Sequence, residues 1–243
     1  FIKMKSSSNI IYGKHASLAA LGNPMRKIKR VLVTKNTKDE LGEKLFANCK
    51  NIQLTETKKL DDMLPREAVH QGIALECEAL SQPSLQEWLK LEHNKPVLIL
   101  DQVSDPHNVG AILRSCAAFD AGALIVTDRN APAESGVMAK SASGALEIIP
   151  LISVGNLVQA IELLKKSGYW IYGLDGEAKQ NITEVRMDRK TALVLGAEGR
   201  GLRRLTGEHC DVLVRLPISN KMESLNVSNA AAVALYELSR QIF

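Results

Sequence analysis

The chain has 243 residues, of which 45% are hydrophobic and only 4% aromatic, and its formal net charge is +4. This length accommodates one large domain or two small ones with aliphatic cores, and no apolar run approaches the ~20 residues of a membrane span. The charge is uneven: residues 1–60 hold 13 Lys and Arg against 4 Asp and Glu, and the remainder holds 18 against 23, so the amino-terminal part is the one expected to meet a polyanion.

The four cysteines, Cys49, Cys77, Cys116 and Cys210, form no CxxC pair, and the histidines form no HExxH pair. The spacing argues against a metal site and a disulfide framework, and free thiols in a reducing cytoplasm are expected. Residues 1–8 carry no apolar stretch of the signal-peptide kind.

In chain order, residues 30–34 (RVLVT) read as a β-branched strand and residues 39–49 as a helix through Leu41, Leu45 and Phe46. A strand at 52–54, a short helix at 60–64 and a strand at 72–76 complete a small α/β unit over residues 1–80. Residues 81–96 hold two prolines around a polar, helix-like stretch, which reads as a linker. A second unit then fills residues 97–243. It opens with an apolar strand ending in an acid, VLILD at 97–101. Apolar residues at 109, 112, 113, 116 and 117 form a core-facing helical stripe. Strands follow at 123–127, 148–152, 170–174, 191–195 and 212–216, with helices at 157–166 and 224–241. Strands alternating with helices predict a mostly parallel sheet covered on both faces.

Three segments of the second unit carry chemistry. In NVGAILR at 108–114, Asn108 suits a helix N-cap and Arg114 lies off the apolar stripe. GAEGRGL at 196–202 follows the strand TALVL and packs three glycines into six residues, which permits positive φ and close approach of backbone to a ligand. Its spacing is GxxGxG, neither the GxGxxG of a dinucleotide turn nor a phosphate loop. PISNKMESLNVSN at 217–229 is a polar run in which Ser224 suits the N-cap of the last helix.

Together, and in this order, the three segments resemble the signature motifs of the SpoU family of RNA ribose methyltransferases. KSASGAL at 140–146 between them fits the family, as do YGKH at 12–15 and HQGI at 70–73, which resemble its substrate-binding domain. Within the family the overall pattern is most like the bacterial 23S rRNA guanosine 2′-O-methyltransferases.

The resemblance implies a SPOUT-type α/β domain with a trefoil knot around residues 195–230, preceded by a small α/β RNA-binding domain. It implies S-adenosyl-L-methionine as cofactor, held largely by backbone in loops at Leu195, Gly196, Gly199 and Gly201, at Leu216 and Ile218, and at Ser224 and Leu225. Asn108, Arg114, Glu198, Ser224 and Asn226 match the active-site positions. A homodimer through the knotted domain would carry Arg114 into the partner's site.

An arginine pKa near 12.5 makes a neutral guanidine cost roughly 7 kcal/mol at neutral pH. Arg114 is therefore expected to grip a phosphate and stabilise charge on the 2′-oxygen rather than act as a free base. Arg26, Lys27, Lys29 and Arg30 are the expected RNA-phosphate contacts. The competing readings are a tRNA ribose methyltransferase and a catalytically silent RNA-binding or assembly factor. No metal and no membrane association are expected.

Overall fold

A computed structural model of the chain describes residues 9–47, 49–129, 131–197, 199 and 201–243. Two sheets organise it. The first, small sheet contains β1 (Asn9–Tyr12), β2 (Ile28–Val33), β3 (Ile52–Leu54) and β4 (Ile73–Cys77) in the order β1-β4-β2-β3. Strand β4 runs antiparallel to both β1 and β2, and β3 is parallel to β2. Helices α1 (Lys14–Gly22), α2 (Lys35–Leu41) and α3 (Thr57–Met63) join these strands. The sequence predicts one helix over 39–49. The chain instead ends α2 at Leu41, because Gly42 turns to φ +80°, and resumes as a 3-10 turn from Glu43 to Phe46.

The expected linker contains a helix, α4 (Leu85–Leu89), whose start is fixed by a Ser84–Glu87 capping box. It is docked rather than free, since Trp88 is buried against Tyr169 and His93.

The second sheet has seven strands: β5 (Val97–Asp101), β6 (Ala123–Thr127), β7 (Leu151–Val154), β8 (Trp170–Leu174), β9 (Gln180–Asn181), β10 (Thr191–Gly196) and β11 (Val212–Arg215). They lie in the order β7-β6-β5-β10-β8-β11-β9, and every pairing is parallel. Every strand therefore ends on the same edge of the sheet, the edge where open parallel sheets bind ligands. Both faces are buried. Leu98, Leu100, Leu124 and Leu193 point into one apolar layer, and Val97, Ile99, Ile125 and Val194 into the other. This is why these strands read as continuous apolar runs.

The remaining helices are α5 (Pro106–Ala118), α6 (Gly136–Ala142), α7 (Leu157–Lys166), α8 (Arg204–Glu208) and α9 (Val227–Ile242). Three local expectations shift. Helix α5 is capped by Asp105, which accepts from the His107 N–H, with Pro106 in the first turn, so Asn108 is inside the helix. Helix α9 is capped by Asn226 rather than Ser224. The strand expected at 148–152 begins at Leu151, because a 3-10 turn over Ala145–Glu147 holds the chain before it. Replacing Asp105 by Ala should cost about 1 kcal/mol of stability, the usual value of such a cap, read as a lower urea midpoint at unchanged slope. A midpoint that does not move would assign the cap elsewhere.

The two sheets share one apolar cluster, which runs from Ile11, Val31 and Leu75 through Met138 of α6 to Leu98 and Leu193. Helix α6 lies directly against β1. A side chain at Gly136 would collide with the Tyr12 ring and the Ile10 carbonyl, so only glycine allows that approach. Arg26 is sealed in the same seam. Its guanidinium bonds Glu134, Glu147 (Nη2 to Oε1, 2.5 Å) and the Glu78 carbonyl (3.0 Å). Burial opposes its charge, but the hydrogen bonds and charges of Glu147 and Glu134 outweigh burial and raise its pKa. All four cysteines are free, and burial pushes the thiols of Cys77 to about 11 and of Cys116 and Cys210 to about 12.

Candidate active site

A cleft of about 340 Å³ opens at the carboxyl ends of β8, β10 and β11. All eight positions expected around the cofactor converge on it: Leu195, Gly196, Gly199, Gly201, Leu216, Ile218, Ser224 and Leu225. The glycine segment forms one wall by folding back on itself. Gly201 donates its N–H to the Ala197 carbonyl at 3.0 Å, and the two residues form an isolated bridge. Gly199 and Gly201 take φ of +74° and +62°, which explains two of the three glycines. Gly196 has a different reason, close packing: its Cα faces the Gly201 carbonyl group directly.

The far end of this segment is anchored by the acid that closes β5. Asp101 is buried, and it accepts from the Arg203 backbone N–H (3.1 Å) and from Arg203 Nε (2.6 Å). Asp101 is the register partner of Gly196, so strand β5 holds both ends of the loop that β10 launches. The acid was visible in the sequence as the last residue of VLILD. Its partner, a hundred residues away, was not.

The opposite wall and the rim contain residues that motif reading misses, Leu174 at the end of β8 and Asp175, Gly176 and Glu177 after it, together with Glu223, which lies within the third motif but was not singled out there. The charged groups lining the cleft, among the described residues, are three carboxylates, Asp175, Glu177 and Glu223, with no Lys or Arg. Such a rim favours a ligand bearing positive charge. The apolar side chains Leu195, Leu216, Leu225 and Val227 with the exposed backbone of the glycine loop suit a flat, partly apolar body.

Beside the cleft, Asn226 Nδ2 donates to Asn108 Oδ1 at 3.2 Å, which joins the first and third motifs across α5 and α9. Asn226 Oδ1 also accepts from the Ser228 N–H at 2.9 Å, so its side chain is fixed at both ends. Ser224 is exposed on the cleft lip, and Arg114 is exposed on the outer side of α5. Glu198, expected in the same site, lies outside the described residues.

Of the expected RNA contacts, Arg26 is corrected. A guanidinium with no exposed surface, satisfied by two carboxylates, is not available to a phosphate. Lys27 is exposed and 3.7 Å from Glu78, Lys29 shares that carboxylate, and Arg30 pairs with Glu76 at 2.9 Å. The basic stretch is therefore partly neutralised on its own surface.

An all-parallel sheet with a backbone-walled, acid-rimmed cleft at its strand ends is an α/β domain with a site suited to a small, positively charged ligand. The chain belongs to the SpoU rRNA methylase family, whose model matches residues 95–236. The model for RNA 2′-O ribose methyltransferase substrate binding matches residues 10–83.

The chain is 38% identical over 239 residues to the 23S rRNA (guanosine-2′-O-)-methyltransferase RlmB of Pseudomonas putida, covering 95% of this chain and 96% of that protein. It is 39% identical to the protein of the same name from Coxiella burnetii, covering 95% of each. Its fold is similar to the SpoU methyltransferase AviRb of Streptomyces viridochromogenes in complex with AdoMet, with a TM-score of 0.81, 21% identity, and coverage of 96% of this chain and 90% of that one. The protein is thus an S-adenosylmethionine-dependent RNA ribose methyltransferase.

Proposed function

We propose that the protein methylates the ribose 2′-hydroxyl of a guanosine in 23S rRNA. The observation that carries this reading is the convergence of three separate motifs on one cleft and on the Asn108–Asn226 bond beside it. The target nucleotide follows the relatives of nearly equal length that bear that name.

When bound, S-adenosylmethionine supplies an electrophilic methyl group. Leu195, Gly196, Gly199, Gly201, Leu216, Ile218, Ser224 and Leu225 would hold it, and the carboxylates of Asp175, Glu177 and Glu223 favour its positive charge. The chain's own residues then position the nucleophile. A 2′-hydroxyl attacks well only as its proton leaves. Arg114 grips the adjoining phosphate and stabilises charge on the 2′-oxygen, while Asn226 orients Asn108 at the cleft edge. Glu198 is assigned to the same set from its motif position.

Arg114 is exposed on α5, and α9, which packs on α5, carries the exposed apolar residues Val233 and Tyr236. This favours a homodimer in which Arg114 serves the partner's cleft. Membership of the SpoU family is what supports a trefoil knot through residues 195–230. Residues 1–80 serve as the RNA-binding unit and residues 97–243 as the catalytic one, and the enzyme works in the cytoplasm, where bacterial rRNA is made.

The test is transfer of labelled methyl groups to 23S rRNA and to tRNA, followed by nucleoside mapping. A 2′-O-methylguanosine in 23S rRNA is expected, and label confined to tRNA would sink the substrate choice. Arg114→Lys keeps the charge but not the planar fork. It should lower turnover on the order of 10²-fold, within the range of one transition-state charge interaction. Near-normal turnover would remove the forked-phosphate role.

A further inference from the structure

A second, larger cavity of about 850 Å³ opens on the same edge of the large sheet, at the ends of β5, β6 and β7. Its walls carry Arg129, Arg203, Arg204 and His209, with Gln102 and Asn156 as neutral hydrogen-bonding groups and no acidic side chain among the described residues. Four carboxylates stand nearby, and each is engaged: Asp101 by Arg203, Glu208 by Arg204, Glu162 by His209, and Asp128 by Ser153.

The engagement leaves donors free. Arg203 gives its Nε and backbone N–H to Asp101, while almost half of its side chain remains exposed with both Nη groups uncommitted to that carboxylate. Arg204 is 80% exposed, and its bond to Glu208 is a surface i,i+4 pair, readily exchanged for another anion. Arg129 is exposed as well.

The groove adjoins the methyl-transfer cleft. Strand β5 is the neighbour of β10, so the two openings border each other along the sheet edge, and their middle strands, β6 and β8, lie three strand spacings apart, about 15 Å. The chain itself crosses from one to the other: Gly201 lines the cleft, and Arg203 and Arg204 line the groove. An anionic chain whose reacting ribose sits over the cleft has its next phosphates within reach of these arginines.

Resting on the ribose-methyltransferase reading above, we propose that this groove binds the sugar-phosphate backbone of the substrate RNA beside the nucleotide to be methylated. It adds phosphate contacts on the catalytic unit to those open to Lys27, Lys29 and Arg30, whose surface ion pairs are exchangeable in the same way. Phosphate contacts of this kind set register and affinity, and leave the choice of base to other residues.

The experiment compares the wild type with Arg129→Ala/Arg204→Ala and the charge-reversed Arg129→Glu/Arg204→Glu. It measures binding to an unmodified 23S rRNA transcript across a salt series, S-adenosylmethionine affinity by calorimetry, and methyl transfer. The alanine pair should weaken RNA binding about tenfold and flatten the salt dependence by about 0.7 for each phosphate no longer neutralised. The glutamate pair should weaken it further, and all three proteins should bind S-adenosylmethionine equally, which also certifies their folding. RNA affinity and salt slope unchanged in both variants, with the wild type methylating 23S rRNA, would overturn the groove's role alone. A wild type that leaves 23S rRNA unlabelled would overturn the proposed function first, and this role with it.

Discussion

Replacing Arg26 by Ala should destabilise the protein by about 3–5 kcal/mol, the cost of removing one member of a buried ion-pair network. The reason is what remains. Glu134 and Glu147 keep side-chain exposures of only 10% and 5%, so two carboxylates would be left desolvated without a counter-charge. Their other partners, the Leu80 N–H to Glu134 (3.0 Å) and Asn23 Nδ2 to Glu147 (2.7 Å), are neutral and cannot replace it.

The raised pKa of Arg26 means its contribution is fully present below the ordinary arginine range and is lost only in strong alkali, so the loss should appear at any neutral pH. Combining Arg26→Met with Glu134→Gln and Glu147→Gln removes all three charges together and should recover much of the stability. Because Arg26 joins the small sheet to α6 and the turn before β7, the single variant should also expand the molecule in solution scattering. Urea unfolding within about 1 kcal/mol of wild type, with unchanged radius of gyration, would show that the triad does not hold the two sheets together.

Gly196→Ala should lower S-adenosylmethionine affinity on the order of 10²-fold while leaving the secondary structure intact. The added methyl would overlap the Gly201 carbonyl group and the Leu202 nitrogen, so the 197–201 bridge must open. The far end of the loop is held by Asp101, and the displacement falls on Gly199 and Gly201 in the cleft wall. Overpacking of this kind costs up to about 3 kcal/mol, a factor on the order of 10² in an equilibrium. Gly207→Ala is the control, since it lies in helix α8 with open space around it, and it should bind normally with stability unchanged or slightly raised. Calorimetric affinity of Gly196→Ala equal to wild type would mean that the loop is free to move and that the cleft does not depend on its closure.

Much of this protein was legible locally. The alternation of apolar strands and amphipathic helices gives the parallel sheet, because a strand buried on both faces must be apolar throughout, as VLILD and TALVL are. Glycines 199 and 201 were readable as a backbone site, because positive φ is a property of the residue itself. Where local signals compete, reading failed by a few residues. Asn108, Asp105, Ser224 and Asn226 all suit an N-cap, and only the direction of the chain entering the helix selects Asp105 and Asn226.

Sequence alone determined the fold class, the family and eight of the residues that line the cleft, since each rests on short-range periodicity or on motifs contiguous in the chain. Only the tertiary structure decided that Arg26 belongs to a buried seam rather than an RNA surface. It also decided that Asp101 anchors the glycine loop through Arg203, that carboxylates rim the cleft, and that an arginine-lined groove adjoins it. Each of these depends on which charges meet across tens to a hundred residues. A basic residue reads the same in sequence whether its partner will be a distant carboxylate, as for Arg26, or solvent, as for Arg129.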